Sequence, residues 1–207
     1  MAGLTRSQRI AKRILDLALA VGALTLTWWI LVIAIVAATI DTGQPGLFVQ
    51  RRVGREGRLF PILKVRTMRA GSGRDTSVTT ADDPRVTRLG RLLRRTKIDE
   101  LPQLFNVLAG HMSFVGPRPD VPGFADRMDG PDRIILSVRP GITGPASLQF
   151  RNEEALLAAQ EDPERFNREV LFPEKLRLNR AYVENYRVAD DVVCLVRTVL
   201  GDRGGRT

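Results

Sequence analysis

The chain is poor in the side chains that most enzyme chemistry relies on. Its 207 residues include one cysteine, Cys194, and one histidine, His111. A single cysteine excludes an intrachain disulfide, so nothing ties the protein to an oxidising compartment. Cys194 lies in the apolar run VVCLV and reads as a small core residue. One histidine and one cysteine are too few for a zinc site, and no pattern supports a Cys-His dyad. Neither a GxSxG nucleophile elbow nor a GxxxxGK[ST] phosphate loop occurs. Phe, Tyr and Trp together make up 6% of the chain, a thin supply for stacking on bases, and no nucleic-acid-binding motif appears. Any catalysis must therefore rest on carboxylates and cationic side chains.

Positive charge is plentiful. Lys and Arg number 32 against 23 Asp and Glu, a net charge of +9. Such a balance suits anionic partners: nucleic acid, anionic lipid or phosphorylated substrates. Charge is also unevenly placed. None occurs from Leu17 to Ile40, a run of about 24 residues or roughly 36 Å of helix, enough to cross a bilayer core about 30 Å thick. The run is too long for a signal peptide, and no small-x-small cleavage site follows it. Arg6, Arg9, Lys12 and Arg13 precede it, and Arg51, Arg52 and Arg55 follow it. Since cationic flanks stay on the cytoplasmic side, a simple span would misplace one cluster, whereas a helix that enters and returns satisfies both. Re-entry needs a break, and the middle offers only Thr25, Thr27, Trp28 and Trp29, of which the two threonine hydroxyls could satisfy some freed backbone groups.

The remainder reads as one domain. LFVQRRV (47–53) and LFPILKVRTM (59–68) are strand-like and joined by a hairpin-like GREG, and 69–82 is a polar loop. Asp83-Pro84 predicts a helix start, followed by arginines at three-residue spacing with Val86, Leu89, Leu92 and Leu93 between them. That basic amphipathic helix suits solvent, an anionic bilayer surface or a phosphate. In TKIDELPQLFNVL (96–108), Thr96 and Asp99 fit a capping box, or Asp99 itself caps, with Pro102 in the first turn and Gly110 ending the helix. Residues 113–123 are too rich in Pro and Gly for regular structure, and 138–150 is a turn-rich strand region. Residues 152–187 read as helical with Pro163 and Pro173 as interruptions, and 190–200 as a short amphipathic helix. The expected fold is α/β, mostly α with a small β-hairpin. Residues 1–42 form a basic segment and a membrane helix, which composition leaves as either re-entrant or spanning, and 43–207 form a compact domain with surface amphipathic helices.

Four stretches, taken in order, carry a resemblance: KRILDLALA (12–20), GLFVQRRVGREGRLFPILKVRTM (46–68), DELPQLFNVLAGHMSFVGPRP (99–119) and VRPGITG (138–144). Together they resemble the bacterial sugar transferases, monotopic polyprenyl-phosphate phosphoglycosyl transferases, over residues 8–187. The resemblance implies a re-entrant membrane helix within residues 1–42, a cytosolic catalytic domain over 43–207, and transfer of a sugar-1-phosphate from a UDP-sugar to polyprenyl (undecaprenyl) phosphate at the cytoplasmic face of the bacterial inner membrane. UMP is released, and the step initiates surface glycan assembly such as exopolysaccharide, lipopolysaccharide or capsule. It also implies a covalent intermediate on the aspartate of an Asp-Glu dyad, with Mg²⁺. The matching residues are Asp99 as nucleophile and Glu100 as its partner, both also metal ligands.

The residue types suit that chemistry. A carboxylate can attack phosphorus and split one displacement into two. A helix N-terminus would favour its ionised form. Arginines and a metal ion offset charge on the transferring phosphoryl group, and Mg²⁺ takes carboxylate and phosphate oxygens. By motif position, Arg94, Arg118 and Arg139 are the phosphate-contact candidates, with Lys64 and Arg66 further basic candidates. Asn179 stands where many members have an active-site Asp, and His111 stands where GDMS is usual. Trp28-Trp29 replaces the family's Ser-Pro bend, and PASLQFRN follows RPGITG in place of WAQVNGRN. Expected partners are a UDP-sugar, polyprenyl phosphate and bacterial membrane lipids, with no nucleic acid and with self-association left open. The alternatives are a non-catalytic scaffold of the same fold and a basic nucleic-acid or membrane-binding module.

Overall fold

A computed structural model describes residues 3–70, 83–123 and 125–200. The protein is mostly helical with two small sheets. Helix α1 (Arg6–Thr42) opens on a capping box: the Thr5 hydroxyl accepts from the Gln8 amide, and the Gln8 side chain accepts from the Thr5 amide. It ends at Gly43, whose φ of 68° takes the left-handed conformation. The helix runs unbroken through Trp28 and Trp29, so the interruption expected for re-entry is absent. Thr25 and Thr27 hydroxyls instead donate to carbonyls one turn back, Val21 and Ala23, and the Trp29 indole donates to Leu26.

Two sections of α1 are docked and the middle is not. Lys12, Asp16 and Ala20 are buried, then Leu31, Ala34 and Ala38, while no residue from 21 to 30 is buried. These buried positions recur at helical spacing and form one stripe. The first section meets the domain through Ala20, packed with Phe60, Ile62, Val107 and Met112. The second does so through Leu31, Ala34 and Ala38, packed with Val65 and Leu93. Both ends of α1 therefore lie against one and the same domain.

Strands β1 (Leu47–Val53) and β2 (Leu59–Val65) form the expected hairpin, in register from Leu47 opposite Val65 to Val53 opposite Leu59. Phe60 and Ile62 point inward to α1, while Leu47, Val49 and Leu59 are exposed. The hairpin starts hard against α1 at Gly46, where a Cβ would collide with the Ile35 carbonyl. Helix α2 (Arg88–Arg95) begins four residues later than the Asp83-Pro84 signal predicts. The Asp83 carboxylate is taken by the Arg85 amide and guanidinium, Val86 bridges to Met68, and Thr87 becomes the cap through its hydroxyl and the Gly90 amide. The polar loop expected at 69–82 falls, from residue 71 onward, outside the described residues.

Beyond α3 (Gln103–Leu108), the chain forms β3 (Ser113–Val115), which pairs in parallel with β4 (Gly141–Thr143). The Pro/Gly-rich stretch thus holds a short strand that the sequence reading did not place. Gly116, Gly141 and Gly144 pack backbone to backbone, so a Cβ on Gly141 or Gly144 would strike Gly116. Helices α4 (Pro145–Gln149), α5 (Glu153–Ala158), α6 (Pro163–Phe166), α7 (Phe172–Glu184) and α8 (Val188–Leu200) complete the domain. Pro173 does not interrupt the helical stretch as expected. Residues 167–171 widen into a π turn, with the Phe172 amide donating to the Asn167 carbonyl, and Pro173 sits in the first turn of α7.

A buried polar knot fastens the first section of α1 to α7 and α8. Lys12 Nζ lies 2.6 Å from Asp191 Oδ2, and Tyr182 and Tyr186 hydroxyls donate to the same carboxylate at 2.6 and 3.0 Å. One turn on, Asp16 accepts from the Ser113 hydroxyl and the Phe114 amide, which ties α1 to β3.

Candidate active site

The dyad sits in a tight connection between two helices. Thr96 does not begin the next helix: its hydroxyl bonds back to the Leu92 and Leu93 carbonyls and closes α2. Lys97 then adopts φ 59°, a left-handed conformation unusual for a side chain of this kind, and reverses the chain. A 3-10 turn, Ile98–Glu100, carries Asp99 and Glu100, and Pro102 leads into α3. No side chain caps this turn or α3. The capping role expected for Thr96 and Asp99 is therefore not observed.

Both carboxylates are buried, yet their surroundings differ. Glu100 Oε1 accepts from Arg118 Nη2 at 2.5 Å and lies 3.9 Å from Lys64 Nζ. Burial alone would raise its carboxyl, but Arg118 and Lys64 outweigh that and bring it down to about 2. Asp99 has no such partner, and its Oδ1 is buried without a hydrogen bond. Burial and the adjacent Glu100 push it up to about 6 against the pull of Lys64, Lys97 and Arg94. Helix-end stabilisation is thus not what sets Asp99, which is raised where the sequence argument expected it lowered. At pH 7 it is still about nine-tenths ionised. Lys64 is pushed down to about 8 by burial and Arg118, against the two carboxylates. Arg118 is held charged above its usual value, chiefly by Glu100. The turn thus presents one compensated carboxylate and one free, ionisable one, within a ring of cations.

Packing holds this arrangement. The Asn106 side chain, on α3, accepts from the Leu63 amide at 3.0 Å and donates to the Pro61 carbonyl at 2.7 Å. These bonds hold the β2 backbone at Pro61 and Leu63, immediately before Lys64, against α3. Arg52 donates to the Pro119 carbonyl and, through Nε and Nη2, to Gln50 Oε1. It thereby steadies the segment that carries Arg118. Sequence reasoning singled out neither residue. A polar Asn within the apolar LFNVL run was the available signal for Asn106.

The sequence matches the bacterial sugar transferase family over residues 7–201. The chain belongs to the bacterial sugar transferase family. Among curated relatives, a Caulobacter vibrioides UDP-glucose:undecaprenyl-phosphate glucose-1-phosphate transferase is 36% identical, covering 92% of this chain and 68% of its own length. An Erwinia amylovora UDP-galactose-lipid carrier transferase is 32% identical over 93% of this chain but only 40% of its own length. A Bacillus subtilis sugar transferase, EpsL, is 35% identical, with 94% and 90% covered. The chain therefore spans less than half the length of the Erwinia relative, about two thirds of the Caulobacter one and nine-tenths of EpsL.

In this chain, the candidates from the sequence separate into groups. Lys64, Asp99, Glu100 and Arg118 come together. Arg94 donates to the Thr67 hydroxyl and acts electrostatically on Asp99. Arg66 sits elsewhere: its Nε donates to the Pro45 carbonyl and its guanidinium lies over the Phe48 ring at 5.4 Å. Arg139 donates to the Gly110 carbonyl, at the far end of α3 from the dyad. Asn179 is buried on α7, its Oδ1 without a partner, and no described bond joins it to the dyad. His111 is exposed, its ring tilted against Phe60.

Among the described residues, no cluster of three or more His, Cys, Asp or Glu forms a ready-made metal cage. A two-carboxylate site still fits Mg²⁺, which commonly takes one or two carboxylates and completes its shell with substrate phosphates and water. The orphaned Asp99 Oδ1 is the atom here that lacks a partner.

Proposed function

We propose that this chain transfers a sugar-1-phosphate from a UDP-sugar to polyprenyl phosphate through a covalent adduct on Asp99. The observation that carries this reading is the asymmetry of the dyad: Glu100 is neutralised by Arg118 and Lys64, whereas Asp99 is buried, unpartnered and poised near neutrality. In the first step, an Asp99 carboxylate oxygen bonds to the sugar-bearing phosphorus of the UDP-sugar. The bond from that phosphorus to the bridging oxygen breaks, and UMP leaves with the electron pair. In the second step, a phosphate oxygen of the polyprenyl phosphate bonds to the same phosphorus and Asp99 departs as carboxylate. Arg118 and Lys64 hold positive charge where the phosphoryl oxygens gather negative charge. Mg²⁺, held by Asp99 and Glu100 with the substrate diphosphate, would supply further charge neutralisation.

Helix α1 supports a membrane setting for the reaction. It is the one described helix long and apolar enough to cross a bilayer. Ile10, Ile14, Val21, Leu26, Trp28, Trp29, Val32 and Ile33 are exposed along it. With both ends docked on one domain, the undocked stretch 21–30 enters the lipid and both flanks stay on the cytosolic face of the inner membrane. That setting would bring the polyprenyl phosphate headgroup to the dyad without a full span. The names of the relatives favour UDP-sugars and undecaprenyl phosphate as substrates.

The deciding experiment mixes detergent-solubilised protein with a UDP-sugar panel and Mg²⁺ but no polyprenyl phosphate. A stoichiometric burst of UMP and an added sugar-phosphate mass on the peptide containing Asp99 are expected. Asp99→Asn should give neither. Normal turnover by a folded Asp99→Asn protein would sink the covalent reading.

A further inference from the structure

The C-terminal end of α3, opposite the dyad, collects more positive charge than the helix end can use. Arg13 Nη1 and Nη2 donate to the Val107 and Leu108 carbonyls at 2.6 and 3.0 Å, and Arg139 Nε donates to the Gly110 carbonyl at 2.8 Å. A helix end carries only about half a negative charge, so two guanidiniums overcompensate it. Arg55 adds a third cation: Gly54, before it, lines one cleft with Val138 and Pro140 on either side of Arg139. Asp16 is engaged by Ser113 and the Phe114 amide, and Glu56 is shared between Arg55 and Arg58, so it offsets only part of the charge at Arg55. Both Nη groups of Arg139 donate to no acceptor among the described residues. Burial, then Arg13 and Arg55, push the Arg139 guanidinium below its usual value, as expected where like charges are crowded.

The cluster also has a defined depth. Arg13 stands eight residues, about 12 Å of helix, before the stretch 21–30 that enters the lipid. Ile10 and Ile14, flanking it on α1, are exposed. If α1 enters the bilayer as proposed above, Arg13, Arg55 and Arg139 lie level with lipid headgroups.

We propose that Arg13, Arg55 and Arg139 form a binding site for the phosphate of an anionic phospholipid, separate from the Asp99 site and at the other end of α3. The site rests on the membrane placement of α1 and not on the transfer reaction. Arg139 offers a free, fixed fork to the phosphate oxygens, and Arg13, anchored on α3, closes the other side. A lipid bound there would brace α1 against α3, the helix that carries Asn106.

The test is native mass spectrometry of the full-length protein in detergent, titrated with phosphatidylglycerol or phosphatidylcholine of matched chains. Wild type should retain phosphatidylglycerol preferentially. Arg55→Gln, which breaks no anchor to α3, should weaken that retention about fivefold, the effect of one cation at a lipid surface. Arg139→Gln should do at least as much, and Arg139→Lys should recover part of the loss. Arg58→Gln removes a charge from the same hairpin turn outside the cluster and should leave retention unchanged. Equal retention of the two lipids, equal loss in Arg58→Gln, or displacement by millimolar inorganic phosphate would each overturn the assignment. Failure of the membrane placement would look different: a protein that stays soluble without detergent and retains neither lipid.

Discussion

At the scale of residues, the dyad is a pair of unlike carboxylates. Two consequences follow for Asp99. As a nucleophile it must be ionised, so kcat/KM for the UDP-sugar should rise with pH through about 6. Lys64 must be protonated to offset phosphoryl charge, so the rate should fall again through about 8. A bell-shaped profile with these limbs is expected. A profile still flat at pH 5 would contradict the assignment of Asp99. The second consequence concerns stability. The folded-state value of Asp99 is raised, so the proton is held more tightly in the folded chain than in the unfolded one. Its contribution is therefore most favourable below the ordinary carboxylate range and is lost as pH rises through about 6. Asn mimics the protonated form. Asp99→Asn should thus raise stability at pH 7.5 by on the order of 2 kcal/mol while abolishing turnover, read as a higher Tm together with no UMP burst. Glu100→Gln carries the opposite sign. It removes the partner of Arg118 and should lower Tm.

At the scale of elements, the site depends on contacts between segments distant in sequence. Asn106 joins α3 to the outer edge of β2 by pairing with Leu63 and Pro61. Asn106→Ala leaves a strand amide and a carbonyl without partners and should cost about 1–3 kcal/mol. Because those bonds hold the strand immediately before Lys64, the alkaline limb of the pH profile should shift as well, a change that a purely structural loss would not produce. The elements also show where local sequence signals mislead. Asp83-Pro84 is a good helix start, but Arg85 claims the carboxylate and the Thr67 carbonyl claims the Thr87 amide, so α2 waits for Thr87. Thr96 and Asp99 have the composition of a capping box, but Thr96 bonds backward and Lys97 turns the chain first. Local preference is worth about 1 kcal/mol per cap, and tertiary competition exceeds it.

At the scale of the whole molecule, α1 packs against the rest of the chain through both its ends, Ala20 with Phe60, Ile62, Val107 and Met112, and Leu31, Ala34 and Ala38 with Val65 and Leu93. The Lys12–Asp191 pair is nearly inaccessible, with two tyrosine hydroxyls completing the carboxylate's bonds. Removing one partner alone strands the other charge. Asp191→Leu should cost about 3–5 kcal/mol, whereas pairing it with Lys12→Met should recover most of that in a double-mutant cycle. The proposed membrane topology rests on the same docking. A cysteine placed at Ser7 in cells should react with impermeant reagents only from the cytosolic side. Labelling only from outside would rule out the placement of both flanks on one face.

The sequence by itself determined the inventory and the local grammar. One histidine and one cysteine excluded metal-thiolate and triad chemistry, the uncharged run announced α1, alternation and Gly-rich turns announced the β1–β2 hairpin, and four ordered motifs announced the family. These are readable because they depend on composition and short-range periodicity. The tertiary structure alone decided which cations serve the dyad. Arg94, Arg118 and Arg139 looked equivalent as motif arginines, yet only Arg118 pairs with Glu100, while Arg139 lies at the opposite end of α3 beside Arg13. It also decided that Asp99 is raised rather than lowered, because burial and the adjacent Glu100 outweigh the surrounding positive charge. Coulombic effects and desolvation depend on distances between segments far apart in the chain, and those distances exist only once the chain has folded.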